Sequence, residues 1–409
     1  MAVLCGTCAT LRRRAAGSSP RPGGGGCAAD RPCYHFRAAT APGPRPVTDR
    51  RILAVLTVRD EGAFLIDWLA HHRAAGFTDV LVFSNDCSDG TDAMLDRLQA
   101  MGWLTHLRNP GPHRNGPQWA ALRQADAHPL VRSADWVIAI DIDEFVNVHA
   151  GDRTVGALLD ALPAATAIPL TWRLFGNGGI VAFADQPVTQ QFTRAAPKRL
   201  HWPWRASLFK TLFRNDGTYR RLGVHRPLDP DPARLDGARW FDGSGSELPA
   251  IFRRSRIFSD LGRDNHRLAQ LNHYALGAME SYIVKVARGR ANRDVQPFDM
   301  SYWVDRNFVA EEDISIAALE PRVAPLRAEL RADRVLGPLH EAAVRWRRAR
   351  FETLMLDEKM RALFARLMMT PPSRVLPDNA TAVLYAYAAR AARAAPDAPP
   401  ATSGAVAPD

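Results

Sequence analysis

The chain has 409 residues, 46% of them hydrophobic and 23% charged, and a formal charge of +10. This balance excludes a fibrous or wholly disordered protein, leaves room for one large core or two domains, and favours anionic partners such as nucleotide phosphates, acidic glycans or a membrane surface. Of the five cysteines, Cys5, Cys8, Cys27, Cys33 and Cys87, only the last lies outside the amino-terminal tail, so a disulfide-built secreted domain is excluded.

Residues 1–49 are rich in Gly, Pro, Ala and Arg, with a four-glycine run at Gly23–Gly26. Such a segment cannot bury enough apolar surface to offset its ordering entropy, and it reads as a disordered extension. Cys5-x-x-Cys8 within it resembles half a zinc site, but Cys27 and Cys33 are spaced too widely to complete one. No apolar stretch approaches the roughly 20 residues needed to span a bilayer. The expected location is the cytosol, with peripheral contact at the inner membrane face. No recognition helix or zinc-finger spacing points to nucleic acid.

Folded sequence begins near Arg51. Ile52–Val58 is a continuous apolar run of strand length, as a parallel strand covered on both faces requires. It ends in Arg59-Asp60-Glu61. Phe64, Leu65, Trp68, Leu69 and His72 then recur at helical spacing up to Gly76. Val80–Phe83 reads as the next strand and ends in the polar loop Ser84–Gly90. A helix follows over Thr91–Gly102, then a short strand at Trp103–Leu107 and a helix over Gln118–Ala127 behind Pro117. Trp136–Ile140 is a further apolar strand, stopping at Asp141-Ile142-Asp143-Glu144. Strands alternating with helices predict a mostly parallel sheet with right-handed crossovers, whose ligands bind beyond the carboxyl ends of the strands. Three polar tips, Arg59–Glu61, Asn85-Asp86 and Asp141–Asp143, are therefore expected on one rim.

Beyond about residue 165 the pattern loosens. Ala167–Trp172, Leu208–Phe213 and Ala269–Ala275 read as strands, and Gly176–Gly179 as a tight loop. Residues 214–260 carry the prolines, glycines and charges of surface excursions. Met279 to about Arg290 reads as a helix, as do the amphipathic stretches Ile314–Leu330 and Ala342–Leu367. The expected division is a disordered extension to residue 49, a ligand-binding half over 50–150, a second half over 151–300, a helical region over 301–388 and a disordered tail over 389–409.

Three carboxylates crowded at a strand end repel one another, and a hard divalent cation is the usual remedy. Strand alternation would put Asp141 and Asp143 on one side with Ile142 opposite, so that both face one Mn²⁺ or Mg²⁺ ion. The bland alternative is an acidic strand end in water, capping a helix that starts near Glu144. His273, after an apolar strand, is the candidate third ligand, with His225 as its rival.

Val58-Arg59-Asp60-Glu61, Trp68, His71-His72, Ser84–Thr91 and Asp141–Phe145 together resemble the family-2-like glycosyltransferases of bacteria, in the subgroup related to glycosyltransferase family 92. The resemblance is strongest over residues 51–150 and continues faintly through Trp172–Gly179, Trp240–Gly245 and His273-Tyr274. It implies a GT-A fold: a Rossmann-type, mostly parallel α/β sheet flanked by helices, fused to an acceptor half. It also implies that the first loop and the Asn85-Asp86 loop hold a nucleoside, and that the D-x-D holds a metal on a diphosphate. Asn85–Thr91 is one residue shorter than the usual loop, with Cys87 in place of a glycine, and the Q-x-x-R-W motif of polymerising synthases is absent.

The nucleotide-sugar contacts expected on this reading are Arg59, Glu61, Asp86, Asp141 and Lys285, the last paired with Arg288 on one helix face. The metal ligands are Asp141, Asp143 and His273. The base that deprotonates an acceptor hydroxyl must be a carboxylate or histidine; Asp242, in the glycine-rich loop Phe241–Gly245, Glu280 and Glu144 are the candidates. The expected activity is metal-dependent transfer of a sugar from a nucleotide-sugar to a glycan or lipid-linked acceptor. A nucleotidyltransferase would want a glycine-rich phosphate loop where Arg59–Gly62 stands, and a purely glycan-binding protein would leave the acidic rim without a role.

Overall fold

The computed structural model describes residues 50–261, 263–289 and 298–394. The expectations for residues 1–49, including the four tail cysteines, and for Arg290 and 395–409 lie outside the described residues. The main elements are β1 (Ile52–Val58), α1 (Gly62–Ala74), β2 (Asp79–Ser84), α2 (Thr91–Ala100), β3 (Thr105–Arg108), α3 (Pro117–Ala127), β4 (Trp136–Ile140) and β5 (Glu144–Val148). They continue with β6 (Ala167–Leu174), β7 (Phe209–Arg214), β8 (Ala269–His273), α4 (Met279–Arg288), α5 (Glu320–Ala332), α6 (Leu336–Leu354), α7 (Glu358–Met369) and α8 (Asp378–Ala394). The tail expected to be disordered from residue 389 is thus helical as far as Ala394.

All eight of these strands form one sheet, in the order β3-β2-β1-β4-β7-β6-β8-β5. β1 is buried along nearly its whole length, as its unbroken apolar run demands. β1 runs parallel to β2 and β4, and β2 to β3. β7 is antiparallel to β4 and β6, β8 is parallel to β6, and β5 is antiparallel to β8. The mixed α/β, mostly parallel architecture is the one the sequence pattern predicted. The carboxyl ends of β1, β2, β3, β4, β6 and β8 therefore share one rim with the amino ends of β5 and β7. The boundary expected near residue 150 falls between strands of this one sheet.

Two local features shape the rim. β4 and β7 pair only at Trp136–Val137, so the two strands part as they approach it. β5 is an edge strand, and edges left open invite pairing with other chains. Here α1 covers it: His71 Nε2 donates to the Val146 carbonyl (2.8 Å), and the Val146 N–H donates to His72 Nε2 (3.4 Å). His72 Nδ1 in turn donates to the Trp68 carbonyl (2.8 Å). Burial lowers the pKa of both imidazoles, His71 to about 4 and His72 well below its ordinary range. The helices α5 and α6 pack on α1, and α6 and α7 pack on α4.

Candidate active site

The loop after β1 leaves Arg59 exposed and turns Asp60 and Glu61 inward. Asp60 adopts a left-handed conformation (φ 51°), which lets its carboxylate accept from the Ser88 N–H at 2.6 Å. Glu61 pairs with Arg288 of α4 and lies 3.9 Å from Arg347 of α6. After β2, the Asn85 amide donates to the Val58 carbonyl (2.9 Å) and accepts from Asn109 (2.6 Å). Asp86, also left-handed (φ 47°), is exposed and accepts from the Gly111 N–H at 3.1 Å. Asp89, not Asp86, ties this loop to its surroundings, accepting from the N–H groups of Thr91 (2.9 Å) and Gly62 (2.8 Å).

The acidic stretch differs from the expected alternating strand. β4 stops at Ile140, and Asp141–Glu144 closes a tight turn in which the Glu144 N–H donates to the Asp141 carbonyl at 3.1 Å. Glu144 then begins β5, not a helix. Trp68 of α1 clamps the turn from below, its Nε1 donating to the carbonyls of Asp141 (3.2 Å) and Glu144 (3.0 Å). The turn sends the two aspartates to different partners. Asp141 accepts from Gln118 (2.8 Å) and from the Lys210 ammonium (2.9 Å). Asp143 accepts from the Lys285 ammonium at 2.7 Å, and His273 Nε2 stops 3.7 Å from the same oxygen.

The three expected metal ligands therefore do not converge. Among the described residues, no group of three or more His, Cys, Asp and Glu side chains forms a metal-holding cluster. Asp143 and His273 are together; Asp141 is drawn away by Lys210 and Gln118. Burial alone would raise the Asp143 carboxyl, but Lys285 and His273 override it and hold the group well below the usual carboxylate range. His273 is buried, its ring packs 4.2 Å from Trp172, and its Nδ1 has no hydrogen-bond partner. It is the other nitrogen, Nε2, that faces the Asp143 carboxylate, and an imidazole nitrogen beside a carboxylate is donor chemistry that a transition-metal or Mn²⁺ ion uses. The residues present fit such an ion through this pair.

Glu144 is fully buried. It accepts from Trp172 Nε1 (2.6 Å) and from the Asp141 N–H (2.8 Å), with Lys210 at 3.6 Å. Burial pushes its carboxyl up to about 8, against the opposing pull of Lys210. It braces the turn from within, and with both oxygens engaged and none exposed it is not available as a base. Asp242 is a clearer correction. Gly243 bonds Ala269 at the start of β8, whereas His273 ends that strand, so Asp242 lies about 13 Å along the sheet from the rim. Its carboxylate is engaged by Ser244 (2.6 Å) and Arg263 (2.7 Å). This glycine-rich loop packs tightly on β8, where a Cβ on Gly243 would sit 2.2 Å from the Ala269 carbonyl oxygen. Glu280 accepts from the Phe183 N–H at 2.8 Å and holds that loop instead of the reaction centre. His225 bonds the Phe209 carbonyl (3.0 Å) and does not reach Asp143.

A cavity at this rim is lined by Glu61, Phe64, Asp143, Tyr274, Lys285 and Arg347, among others. Lys285, Arg288 and Arg347, from two helices far apart in sequence, thus bring three cations to two carboxylates. Burial lowers the Arg347 pKa to about 10, a range in which the guanidinium stays charged. Sequence reasoning missed Lys210, Gln118 and Arg347. A lone lysine within the apolar run Leu208–Phe213 was the available signal for the first.

Residues 56–228 match the family model described as Glycosyltransferase family 92. A curated relative, a glycosyltransferase family 92 protein of Ricinus communis, is 23% identical over 170 residues, which is 40% of this chain and 30% of the relative. The chain thus spans under a third of that relative's length. Among solved structures, glucosyl-3-phosphoglycerate synthase of Mycobacterium tuberculosis with Mn²⁺, UDP-glucose and phosphoglyceric acid is 18% identical. That alignment covers 42% of this chain and 58% of the other at a TM-score of 0.25. Residues 1–349 of TarS from S. aureus with UDP are 14% identical, covering 40% and 47%, at a TM-score of 0.26.

Proposed function

We propose, for a chain whose residues 56–228 match the model of glycosyltransferase family 92, that it moves a sugar from a nucleotide-sugar, a UDP-sugar, to a glycan or lipid-linked acceptor. The reading includes Mn²⁺ or Mg²⁺, inversion by direct displacement, and a place in surface polysaccharide synthesis at the cytosolic side of the inner membrane. No described helix is long and apolar enough to cross a membrane.

The observation that carries this reading is the shared rim: the loops after β1, β2 and β4 deliver polar groups to one edge, beside the Asp143–His273 pair and three cations. Asp143 and His273 would hold the ion. Bound there, it would neutralise charge on the leaving diphosphate. Lys285 and Arg288 would bind the same diphosphate as charge-assisted donors. Asp86 and Arg59, exposed on neighbouring loops, would contact base and ribose, and Asp141, held by Lys210 and Gln118, would orient the ribose.

The test is a thermal-shift screen of UDP-, GDP- and CDP-sugars with Mn²⁺ present, followed by assay of nucleotide release. A UDP-sugar should raise the melting temperature and release UDP. Stabilisation by none of the three donor classes, with no nucleotide released, would overturn the reading.

A further inference from the structure

Only four of the chain's 53 basic residues are lysines: Lys198, Lys210, Lys285 and Lys359. Two of these four sit on the two aspartates of the acidic turn, one on each. In a chain that otherwise uses arginine, this points to a need for the ammonium itself. An ammonium is a compact point charge about the size of a bare cation, whereas guanidinium is a planar fork that locks onto carboxylates in pairs.

The two lysines differ in how they are held. Lys210 is 1% exposed, enclosed between the parting strands and shared by Asp141 and Glu144, so it is a permanent partner. Lys285 is 12% exposed, and it projects from a helix onto Asp143, whose own side chain is 22% exposed. Its Nζ touches two oxygens, Asp143 Oδ2 and the Ala275 carbonyl, each at 2.7 Å. The Phe298 and Tyr302 rings lie 5.2 and 5.7 Å from it. Two oxygens, one of them anionic, with a histidine nitrogen alongside, are ligands suited to a hard or borderline divalent ion.

We infer that Lys285 is a displaceable surrogate for the divalent ion: it neutralises Asp143 in the ligand-free protein and competes with metal for the same carboxylate. This rests on the glycosyltransferase reading above. Its consequence is coupled binding. The free protein takes up metal weakly, and a nucleoside diphosphate, by drawing the Lys285 ammonium onto its own oxygens, opens Asp143 to the ion.

The test is Mn²⁺ titration of the full-length chain without nucleotide, followed by loss of the free-ion electron paramagnetic resonance signal. Lys285→Met should bind Mn²⁺ at least tenfold more tightly than wild type. Lys285→Arg, which keeps the competing charge, should bind no more tightly than wild type. Lys285→Gln serves the same purpose should the Met variant fail to fold. Adding Asp143→Asn to Lys285→Met should remove the gained affinity. Equal or weaker Mn²⁺ binding by both neutral variants would overturn the inference. Calorimetry of wild type with UDP and Mn²⁺ separates the two claims: ternary binding without any gain in the neutral variants sinks the surrogate role alone. UDP binding with no Mn²⁺ uptake by any protein sinks both that role and the metal clause of the reading.

Discussion

The indole Nε1 of Trp172 donates to the buried carboxylate of Glu144 across 2.6 Å, and the same ring packs 4.2 Å from His273. One side chain therefore links the brace of the acidic turn to the imidazole beside Asp143. Trp172→Phe keeps most of the ring contact and removes the donor, leaving a fully buried carboxyl with one partner fewer. It should cost about 1–3 kcal/mol, read as a shift in the urea midpoint with an unchanged slope.

Asp143→Asn tests the centre directly. It removes the charge that Lys285 and His273 face. UDP-sugar turnover should fall by about 100-fold or more, the scale seen when a charge-stabilising group is lost. The pair is partly exposed, so stability should fall by only roughly 1–2 kcal/mol, and near-ultraviolet circular dichroism should be retained. Undiminished turnover would exclude Asp143 from the reaction.

Acid should loosen the edge of the sheet. His71 is buried and neutral, with its pKa lowered to about 4 by burial. In the unfolded chain it protonates near 6.5, so between these values the unfolded state binds more protons. Stability is full above the unfolded value and declines as pH falls, by up to about 3 kcal/mol from this group at pH 4. His72 is lowered in the same direction and adds to the slope. Urea midpoints at pH 7, 5.5 and 4.5 should fall in that order, and His71→Gln should flatten the profile while lowering its pH 7 value.

Gly243→Ala should separate fold from site. Its new Cβ would meet the carbonyl oxygens of Ala269 at 2.2 Å and Asn265 at 2.5 Å, both backbone atoms that cannot swing aside. A loss of roughly 2–4 kcal/mol is expected in thermal or urea unfolding. UDP binding, measured below the new melting temperature, should be unchanged because the rim is at the other end of β8.

β1, β2 and β4 were legible because each is a buried, mainly apolar run bounded by polar residues, and such runs advertise themselves. The rim followed from topology, since parallel strands must end on the same side. What the sequence pattern hid was the turn. Asp141-Ile142-Asp143 reads as alternation only if the strand continues, and nothing in the triplet announces that Trp68 draws the Asp141 and Glu144 carbonyls together in a tight reversal. β5 went unseen for the same reason. Arg347 was hidden because its partner Glu61 lies far away in sequence, and a single arginine on a helix carries no mark of where it points. Asp242 misled because its glycine-rich loop looked like part of a site, whereas Gly243 is there to let two backbones touch.

The counter-charges of the rim also set an order of events during synthesis. Asp143 and Lys285 are 142 residues apart, and Glu61 and Arg288 are 227 apart. At ordinary elongation speeds the acidic tips leave the ribosome about ten seconds or more before their cations exist. Until then Asp143 and Glu61 lack their cationic partners, so this corner of the protein closes only once α4 and α6 have been translated.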